Sequence, residues 1–203
     1  ALIADSLVWT FAAPTSIVSY PYVNERTRPE FNYYLSFASK VIDTGLYPTH
    51  ELIRHTKFLS VLSAKKITIS LPTLSWSQKA SCEYKSPYII LNPGSNEHGR
   101  RWPLADYIQL AKELSNQGYT IIFIGSEKLE AGRSRTMPIL DNDRLVDLTC
   151  KTTLAEILDL MQGACLVVTN DTGPAHLSIG LGRPTVVIIG GGHFGSFGPY
   201  PHE

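Results

Sequence analysis

The segment Leu166–Leu177 constrains the fold of this chain more than any other stretch. Its first four residues, Leu166–Thr169, are apolar or β-branched, and the run stops at Asn170-Asp171-Thr172-Gly173 before Pro174. An uninterrupted run of this kind is typical of a strand buried on both faces. Pro174 suits the first turn of a helix, because it has no N–H to leave unpaired there, and Gly173 allows a ligand to approach closely. The pattern predicts a strand–loop–helix unit that binds an anion such as a nucleotide phosphate, with an ordinary strand-to-helix turn as the alternative.

Similar strand–loop–helix units recur through residues 86–203. Further apolar strands are predicted at Tyr88–Leu91, Thr120–Ile124 and Thr185–Ile189. Between them, Pro103 and the capping box Thr153–Glu156 mark the starts of two more helices. This alternation favours an α/β domain, a parallel sheet with helices on both faces. We expect three strand ends to converge on one crevice, at Asn92–Ser95, Gly125–Glu127 and Asn170–Gly173.

The first 65 residues have a different pattern and predict a partial second lobe. Short strands are expected near Leu2–Ala4 and Ile17–Tyr20, with helices over Glu30–Val41 and Glu51–Leu62, the latter capped by Thr49. Residues 66–85 are rich in Ser, Lys and Pro and predict a linker that holds an isolated strand at Ile67–Ile69. The predicted organisation is therefore a lobe at 1–65, a linker at 66–85 and a domain at 86–203.

Charge and cysteine content exclude several classes of function. The 203 residues include 18 Lys and Arg against 18 Asp and Glu, so the chain lacks the positive field of a nucleic-acid-binding protein. Its 3 cysteines are an odd number without metal-ligand spacing, which indicates a reducing cytosol. Neither a signal peptide nor an apolar run of about 20 residues is evident, and neither a metal nor a cofactor is predicted. The chain opens on Ala1, and we expect it to be a piece of a longer protein.

Two further segments have residues suited to phosphate. Arg100-Arg101 directly precedes Trp102-Pro103 at a predicted helix start. An arginine fork fits phosphate oxygens, and a solvated surface pair is the alternative.

Gly190–Gly195 has the glycine spacing of a dinucleotide-binding loop, but that loop needs a helix directly after it, and Pro199 and Pro201 disfavour one. The glycines therefore predict a flexible loop, and whether it faces a ligand stays open.

Four motifs follow one another at a characteristic spacing. In chain order they are Asn92-Pro93-Gly94-Ser95, Arg100-Arg101-Trp102-Pro103, Leu148-Thr149-Cys150-Lys151-Thr152-Thr153-Leu154 and Asn170-Asp171-Thr172-Gly173-Pro174-Ala175-His176-Leu177. The ordered set resembles the bacterial ADP-heptose:lipopolysaccharide heptosyltransferases, glycosyltransferase family 9. The resemblance covers residues 86–200 well and residues 1–65 loosely. It implies a two-lobed GT-B enzyme that moves heptose from ADP-heptose to the lipopolysaccharide inner core with inversion. The sequence shows no cluster of carboxylates or histidines suited to a metal, which fits a metal-independent enzyme.

The resemblance also implies a role for each part of the chain. Residues 86–203 match the Rossmann-like donor-binding domain, and residues 1–65 match the C-terminal part of the acceptor lobe. The family's catalytic base is an aspartate near the start of that lobe, and Asp5 does not match its context, so no catalytic residue is assigned here. We therefore expect this piece to bind donor without transferring sugar. The implied partners are a nucleotide sugar and the lipopolysaccharide core, in the cytoplasm, with peripheral association at the cytoplasmic face of the inner membrane left open.

The donor-binding residues are likewise carried over from the resemblance. Thr172 and Gly173 are expected to contact the diphosphate and Asp171 the sugar hydroxyls, with His176 close by. Arg100 stands where the family has a lysine near the phosphates, which keeps the charge and changes the geometry. The other expected contacts are Arg101 next to it, Ser95 in the phosphate-side loop, Glu127 (or Glu130) at the ribose and Thr152 at the adenine edge. One departure concerns the segment Gly190-Gly191-Gly192-His193, where the family has Gly-Pro-Thr.

Two other functions fit the same crevice. A nucleotide-sugar epimerase of similar architecture would bind the same phosphates, although acid and base residues around the sugar are not identified in the sequence. A non-catalytic nucleotide-binding module is the alternative from outside the enzymes. Release of ADP in the presence of an acceptor separates a transferase from both.

Overall fold

The computed structural model describes residues 14–20, 28–77, 84, 87–126, 143–190 and 194–201. The chain divides into two compact units. The first contains the described residues up to Ser70 together with those from Gly195 onward, and the second contains those from Leu71 to Phe194. The predicted strand at Leu2–Ala4 and the predicted ribose contacts Glu127 and Glu130 lie outside the described residues, and the predicted boundaries at 65 and 85 stay predictions.

The first unit contains two short strands and two helices in its described part. Its elements are β1 (Ile17–Ser19), α1 (Arg28–Ser36), β2 (Lys40–Ile42) and α2 (Glu51–Ser63). β1 and β2 pair in parallel, with Val18 opposite Val41. The helix predicted over Glu30–Val41 is therefore wrong at its C-terminal end, because residues 40–42 are drawn into backbone pairing with β1.

Two local predictions in this unit are also wrong. His50, and not Thr49, caps α2: its Nδ1 accepts the N–H of Leu52 at 3.1 Å. The hydroxyl of Thr49 instead donates to the carbonyl of Leu46, and Thr49 lies one residue before the capping position. Residues 67–69 form no strand.

The second unit is built on a five-stranded sheet in the order β5-β4-β3-β6-β7. All four strand pairings are parallel, so the predicted parallel sheet is confirmed. Its elements are β3 (Tyr88–Asn92), α3 (Leu104–Asn116), β4 (Thr120–Phe123), β5 (Leu145–Asp147), α4 (Leu154–Gly163), β6 (Leu166–Asn170), α5 (Gly173–Gly180) and β7 (Thr185–Ile188). The strand β5 has no counterpart among the predicted elements.

Alternate residues of the central strands are buried on opposite faces of this sheet. Ile90, Ile122 and Val167 pack on one face with Leu158 and Met161 of α4. The other face packs against α3, where the buried residues are Ile89, Leu91, Tyr107, Ala111, Ile121, Phe123 and Val168. Burial on both faces explains why these strands are continuous apolar runs without polar alternation.

The order of the strands determines where a ligand can bind. β3 lies between β4 and β6, so the chain turns one way after β3 and the other way after β6. Such a reversal leaves a crevice at the carboxyl ends of the two central strands, where open α/β sheets bind their ligands. In the part of the chain described here, no helix is both long and apolar enough to cross a membrane.

Candidate functional site

The helices that follow β3 and β6 differ from the one that follows β5 at their N-termini. No side chain among the described residues caps α3 or α5. In contrast, Thr153 and Glu156 form a complete capping box on α4, with the N–H of Thr153 2.7 Å from Oε2 of Glu156. An uncapped helix start presents backbone N–H groups and the positive end of the helix dipole, which together attract anions. The two uncapped helices follow the two strands that border the crevice.

The turn between β6 and α5 brings four predicted site residues together. Asp171 is only 5% exposed, and its Oδ1 lies 4.0 Å from Nε2 of His176. The hydroxyl of Thr172, the residue before α5, donates to the carbonyl of Asn170 at 3.3 Å. A Cβ built on Gly173 would meet no described atom within 4 Å, so a ligand can approach this backbone closely. A buried carboxylate, a hydroxyl and an open helix start are therefore adjacent.

The loop between β3 and α3 contains the two arginines, and it uses them differently. Nε of Arg101 donates to the carbonyl of Ser95 at 2.9 Å, which ties the loop to itself. Arg100 donates to Oε1 of Glu97 at 2.8 Å, and the Glu97 side chain is 64% exposed. The Arg100 side chain is itself 21% exposed. Because the carboxylate lies in water, the pair contributes about 0–1 kcal/mol, and an incoming phosphate can replace the carboxylate. Arg100 is thus the better candidate for a phosphate ligand.

Ser95 is buried within this loop, at 5% exposure. Its hydroxyl accepts the N–H of Glu97 at 3.2 Å. The side chain therefore shapes the turn that carries Glu97 and Arg100. A direct contact between Ser95 and a phosphate stays a prediction.

Two asparagines join the loops and were not among the predicted site residues. Nδ2 of Asn92 lies 2.9 Å from Oγ1 of Thr169 and 3.4 Å from Oγ1 of Thr172, which links the end of β3 to the β6–α5 turn. Asn170 is fully buried and bonds to the β3–α3 loop through both atoms of its amide. A polar residue at the end of each of two buried strands is the sequence signal that could have identified them.

The β5–α4 loop reaches the same edge of the sheet, next to the end of β4. The N–H of Cys150 donates to the carbonyl of Gly125 at 2.9 Å, and Cys150 has the left-handed φ of 62°. In this loop, Oγ1 of Thr149 and Oγ1 of Thr152 are inaccessible and have no hydrogen-bond partner among the described residues. Thr152 thus lies in a loop at the carboxyl edge of the sheet, and its contact with an adenine stays a prediction.

Gly190, just beyond β7, lies against the turn that carries Arg100. A Cβ on Gly190 would be 2.6 Å from the carbonyl oxygen of Gly99 and 3.1 Å from Cα of Arg100. Only glycine allows this approach of two backbones. This end of the glycine segment therefore supports the phosphate-side loop, while residues 191–193 lie outside the described part of the chain and Gly195 belongs to the first unit.

The assembled edge carries groups that can bind phosphate. It combines two uncapped helix starts, one arginine on an exchangeable ion pair and a hydroxyl, next to a buried carboxylate that can accept hydrogen bonds from neutral hydroxyl groups. Such groups stabilise charge that develops on a phosphate when a bond to it breaks.

Residues 48–203 match the family model for glycosyltransferase family 9 (heptosyltransferase). The chain therefore belongs to this family, as the motifs of the sequence predict. Lipopolysaccharide heptosyltransferase 2 of Salmonella typhimurium is 32% identical over 115 residues, which are 54% of this chain and 33% of that protein. Lipooligosaccharide heptosyltransferase 2 of Haemophilus influenzae is 37% identical over 109 residues, 51% of this chain and 31% of that protein. The matched part spans about a third of the length of these curated relatives.

Solved structures agree on the fold. The Escherichia coli ADP-heptose lps heptosyltransferase II superposes with a TM-score of 0.66 at 23% identity, over 92% of this chain and 59% of that one. The Escherichia coli heptosyltransferase WaaC with ADP-2-deoxy-2-fluoro heptose gives a TM-score of 0.61 at 16% identity, over 92% and 58% of the two chains. These similarities confirm the predicted GT-B-type, Rossmann-like α/β fold.

Proposed function

We propose that this chain carries the donor-binding half of a heptosyltransferase, and that it binds the diphosphate of ADP-heptose at the carboxyl ends of β3 and β6. The observation that carries this proposal is the pair of uncapped helix starts at the switch point, next to a capped one on α4. Membership of glycosyltransferase family 9 supports the choice of a nucleotide sugar as ligand. It favours neither an epimerase nor a non-catalytic module.

In this proposal the protein stabilises the leaving group. Cleavage of the bond between the sugar and the diphosphate leaves negative charge on the outer phosphate. The backbone at Gly173, the hydroxyl of Thr172 and the guanidinium of Arg100 are the groups that would meet this charge. These donors would supply the stabilisation that a divalent cation gives elsewhere, so we propose transfer without a metal. Inversion at the sugar is carried over from the resemblance to the family. ADP affinity should then be the same in EDTA and in added magnesium.

Asp171 has a separate role in the proposal. Its carboxylate is buried next to His176 and would accept hydrogen bonds from the hydroxyls of the donor sugar. The acceptor is the inner core of lipopolysaccharide, reached from the cytoplasm at the inner-membrane surface. The names of the relatives, which refer to lipopolysaccharide and lipooligosaccharide, support this acceptor class.

Calorimetry with ADP and with ADP-heptose tests the proposal on the chain as it exists. The wild-type chain should bind both ligands. Asp171→Ala should lower the preference for ADP-heptose over ADP by about ten- to 100-fold, because a hydrogen bond to a charged group contributes about 1.5–3 kcal/mol. Asp171→Asn, which keeps the size and loses the charge, is the matched control. Its preference for ADP-heptose over ADP should fall between that of the wild type and that of Asp171→Ala. Equal losses for both ligands would show that Asp171 supports only the turn, and failure of the wild type to bind either would overturn the donor site.

A further inference from the structure

We propose that Asn170 is a positioning residue for this site, and that its carboxamide holds Arg100 in place by closing both ends of the β3–α3 loop. The inference takes its ligand from the proposed function, but the loop closure itself can be tested without a ligand. Asn170 lies at the end of β6 and is fully buried. Its side chain bonds to the backbone of the β3–α3 loop and to Tyr107, so its effect on the arginines is indirect.

The two atoms of the Asn170 amide bind opposite ends of the same loop. Nδ2 donates to the carbonyl of Pro93 at 2.9 Å and lies 3.4 Å from that of Gly94. Oδ1 accepts the N–H of Trp102 at 3.0 Å. The first contacts are at the start of the loop and the last is at its end, so one side chain fixes the entry and the exit of residues 95–101.

Closing the loop in this way restricts what its arginines can do. The span between the two anchor points contains Ser95, Glu97 and Arg100, and the bond from Arg101 to Ser95 ties it internally. Fixing the ends of a loop removes conformational freedom that would otherwise be lost when a ligand binds. The backbone that carries Arg100 is therefore held in place before a ligand arrives, and this is how Asn170 would position the guanidinium.

The chemistry of the residue explains why an amide stands here. The site needs a donor towards two carbonyls and an acceptor towards an N–H within one short side chain, and an amide offers both. The hydroxyl of Tyr107 also donates to Oδ1 at 3.3 Å, and burial raises the pKa of Tyr107, so that this hydroxyl keeps its proton. An aspartate has the same size but, when ionised, only accepts. It would face the carbonyls of Pro93 and Gly94 without a proton to give them.

The decisive experiment measures ADP affinity at several salt concentrations in Asn170→Ala, Arg100→Ala and the double variant. We expect Asn170→Ala to weaken ADP binding about tenfold or more and to flatten its salt dependence, because Arg100 is no longer held at the phosphates. Replacing Arg100 in the Asn170→Ala background should then have little further effect, since coupled residues are non-additive. Asn170→Asp should bind ADP at least as weakly as Asn170→Ala does. Ile122→Ala, a fully buried change in β4, is the control for lost stability and should keep the wild-type salt dependence.

Hydrogen exchange at the Trp102 amide separates this inference from the proposed function. The amide should be protected in the wild type and in Ile122→Ala, and exchange should rise in Asn170→Ala without any ligand. A rise in exchange in Asn170→Ala supports loop closure even if ADP does not bind to the wild-type chain. Failure of the wild-type chain to bind ADP would overturn only the proposed function. Should Asn170→Ala not fold, Asn170→Ser replaces it with the same expectations. Additive losses in the double variant, an unchanged salt dependence or wild-type affinity in Asn170→Asp would each overturn the positioning role.

Discussion

Replacing Gly190 by alanine gives the sharpest test of how the phosphate-side loop is supported. The added Cβ would lie 2.6 Å from the carbonyl oxygen of Gly99, whereas ordinary contact begins at 3.4 Å. The two backbones must therefore separate by about 0.8 Å, the difference between these distances. No flexible side chain can move aside to absorb this shift, because the nearest atoms are backbone atoms of Gly99 and Arg100. Overpacking of this kind costs about 1–3 kcal/mol.

The displacement acts on the turn that carries Arg100. We expect Gly190→Ala to lower the free energy of unfolding by about 1–3 kcal/mol and to weaken ADP binding, because the Arg100 turn is pushed away from the helix starts. Chemical denaturation measures the first effect and calorimetry with ADP the second. Gly99→Ala is the matched control: it adds the same methyl group in the same turn, and its Cβ would meet no described atom within 4 Å.

Three outcomes distinguish the explanations for Gly190. Loss of stability and ADP affinity in Gly190→Ala, with neither in Gly99→Ala, supports the close approach as the reason for glycine. Loss in both variants would indicate that the turn tolerates no side chain anywhere. Wild-type stability and affinity in Gly190→Ala would refute the reasoning, because the two backbones would then have room to move apart at no cost.

Three further predictions concern single side chains. Arg100→Ala should weaken ADP binding by about 1.5–3 kcal/mol at low salt and by less at high salt, whereas Glu97→Gln should strengthen it by removing the competing carboxylate 2.8 Å away; unchanged affinity in both would leave Arg100 as a surface residue. Hydrogen bonds from Thr153 lower the pKa of Glu156 below its ordinary value of 4.5, so its contribution to stability is complete above that pH and is lost as pH falls through the lowered pKa. Thermal unfolding of Glu156→Gln should therefore approach that of the wild type in acid, and a constant difference from neutral to acid pH would contradict this. Tyr107→Phe removes one hydroxyl from Asn170 and should cost about 0.5–1.5 kcal/mol of stability with little change in ADP affinity, since Oδ1 keeps the N–H of Trp102; a large loss of affinity would give Tyr107 a role in the loop.

The central strands were predictable because burial on both faces requires a continuous apolar run, which is visible in the local sequence. β3, β4, β6 and β7 are continuous apolar runs, and each was predicted within two residues of its observed ends. β5 was missed because it has only three residues, all half-buried, and forms through backbone pairing with β4. The end of α1 at Ser36 has the same kind of cause, since β2 is defined by its pairing with β1. Elements fixed by a distant partner leave little trace in a local pattern.

The contacts that assemble the candidate site were less predictable than its residues. The motifs offered both Arg100 and Arg101, with Arg100 in the place of the family's lysine, but only the fold shows that Arg101 is bound to Ser95 while Arg100 is paired with an exposed carboxylate. The identity of Gly190 depends on Gly99, which lies far away in the sequence. These roles arise from approaches between loops, and the loops meet only after the sheet has brought the strand ends to one edge.

The register of the sheet explains why the two asparagines act differently although each ends a central strand. Asn92 lies opposite Thr169 in the pairing of β3 with β6, so its amide reaches across to the hydroxyls of Thr169 and Thr172. Asn170 is one residue further along β6, beyond the last paired residue of β3. At that height its neighbour is no longer a strand but the loop that leaves β3, and its amide binds the backbone of that loop. An offset of one residue thus gives one asparagine the β6–α5 turn to hold and the other the β3–α3 loop, so the strand pairing positions both halves of the proposed diphosphate site.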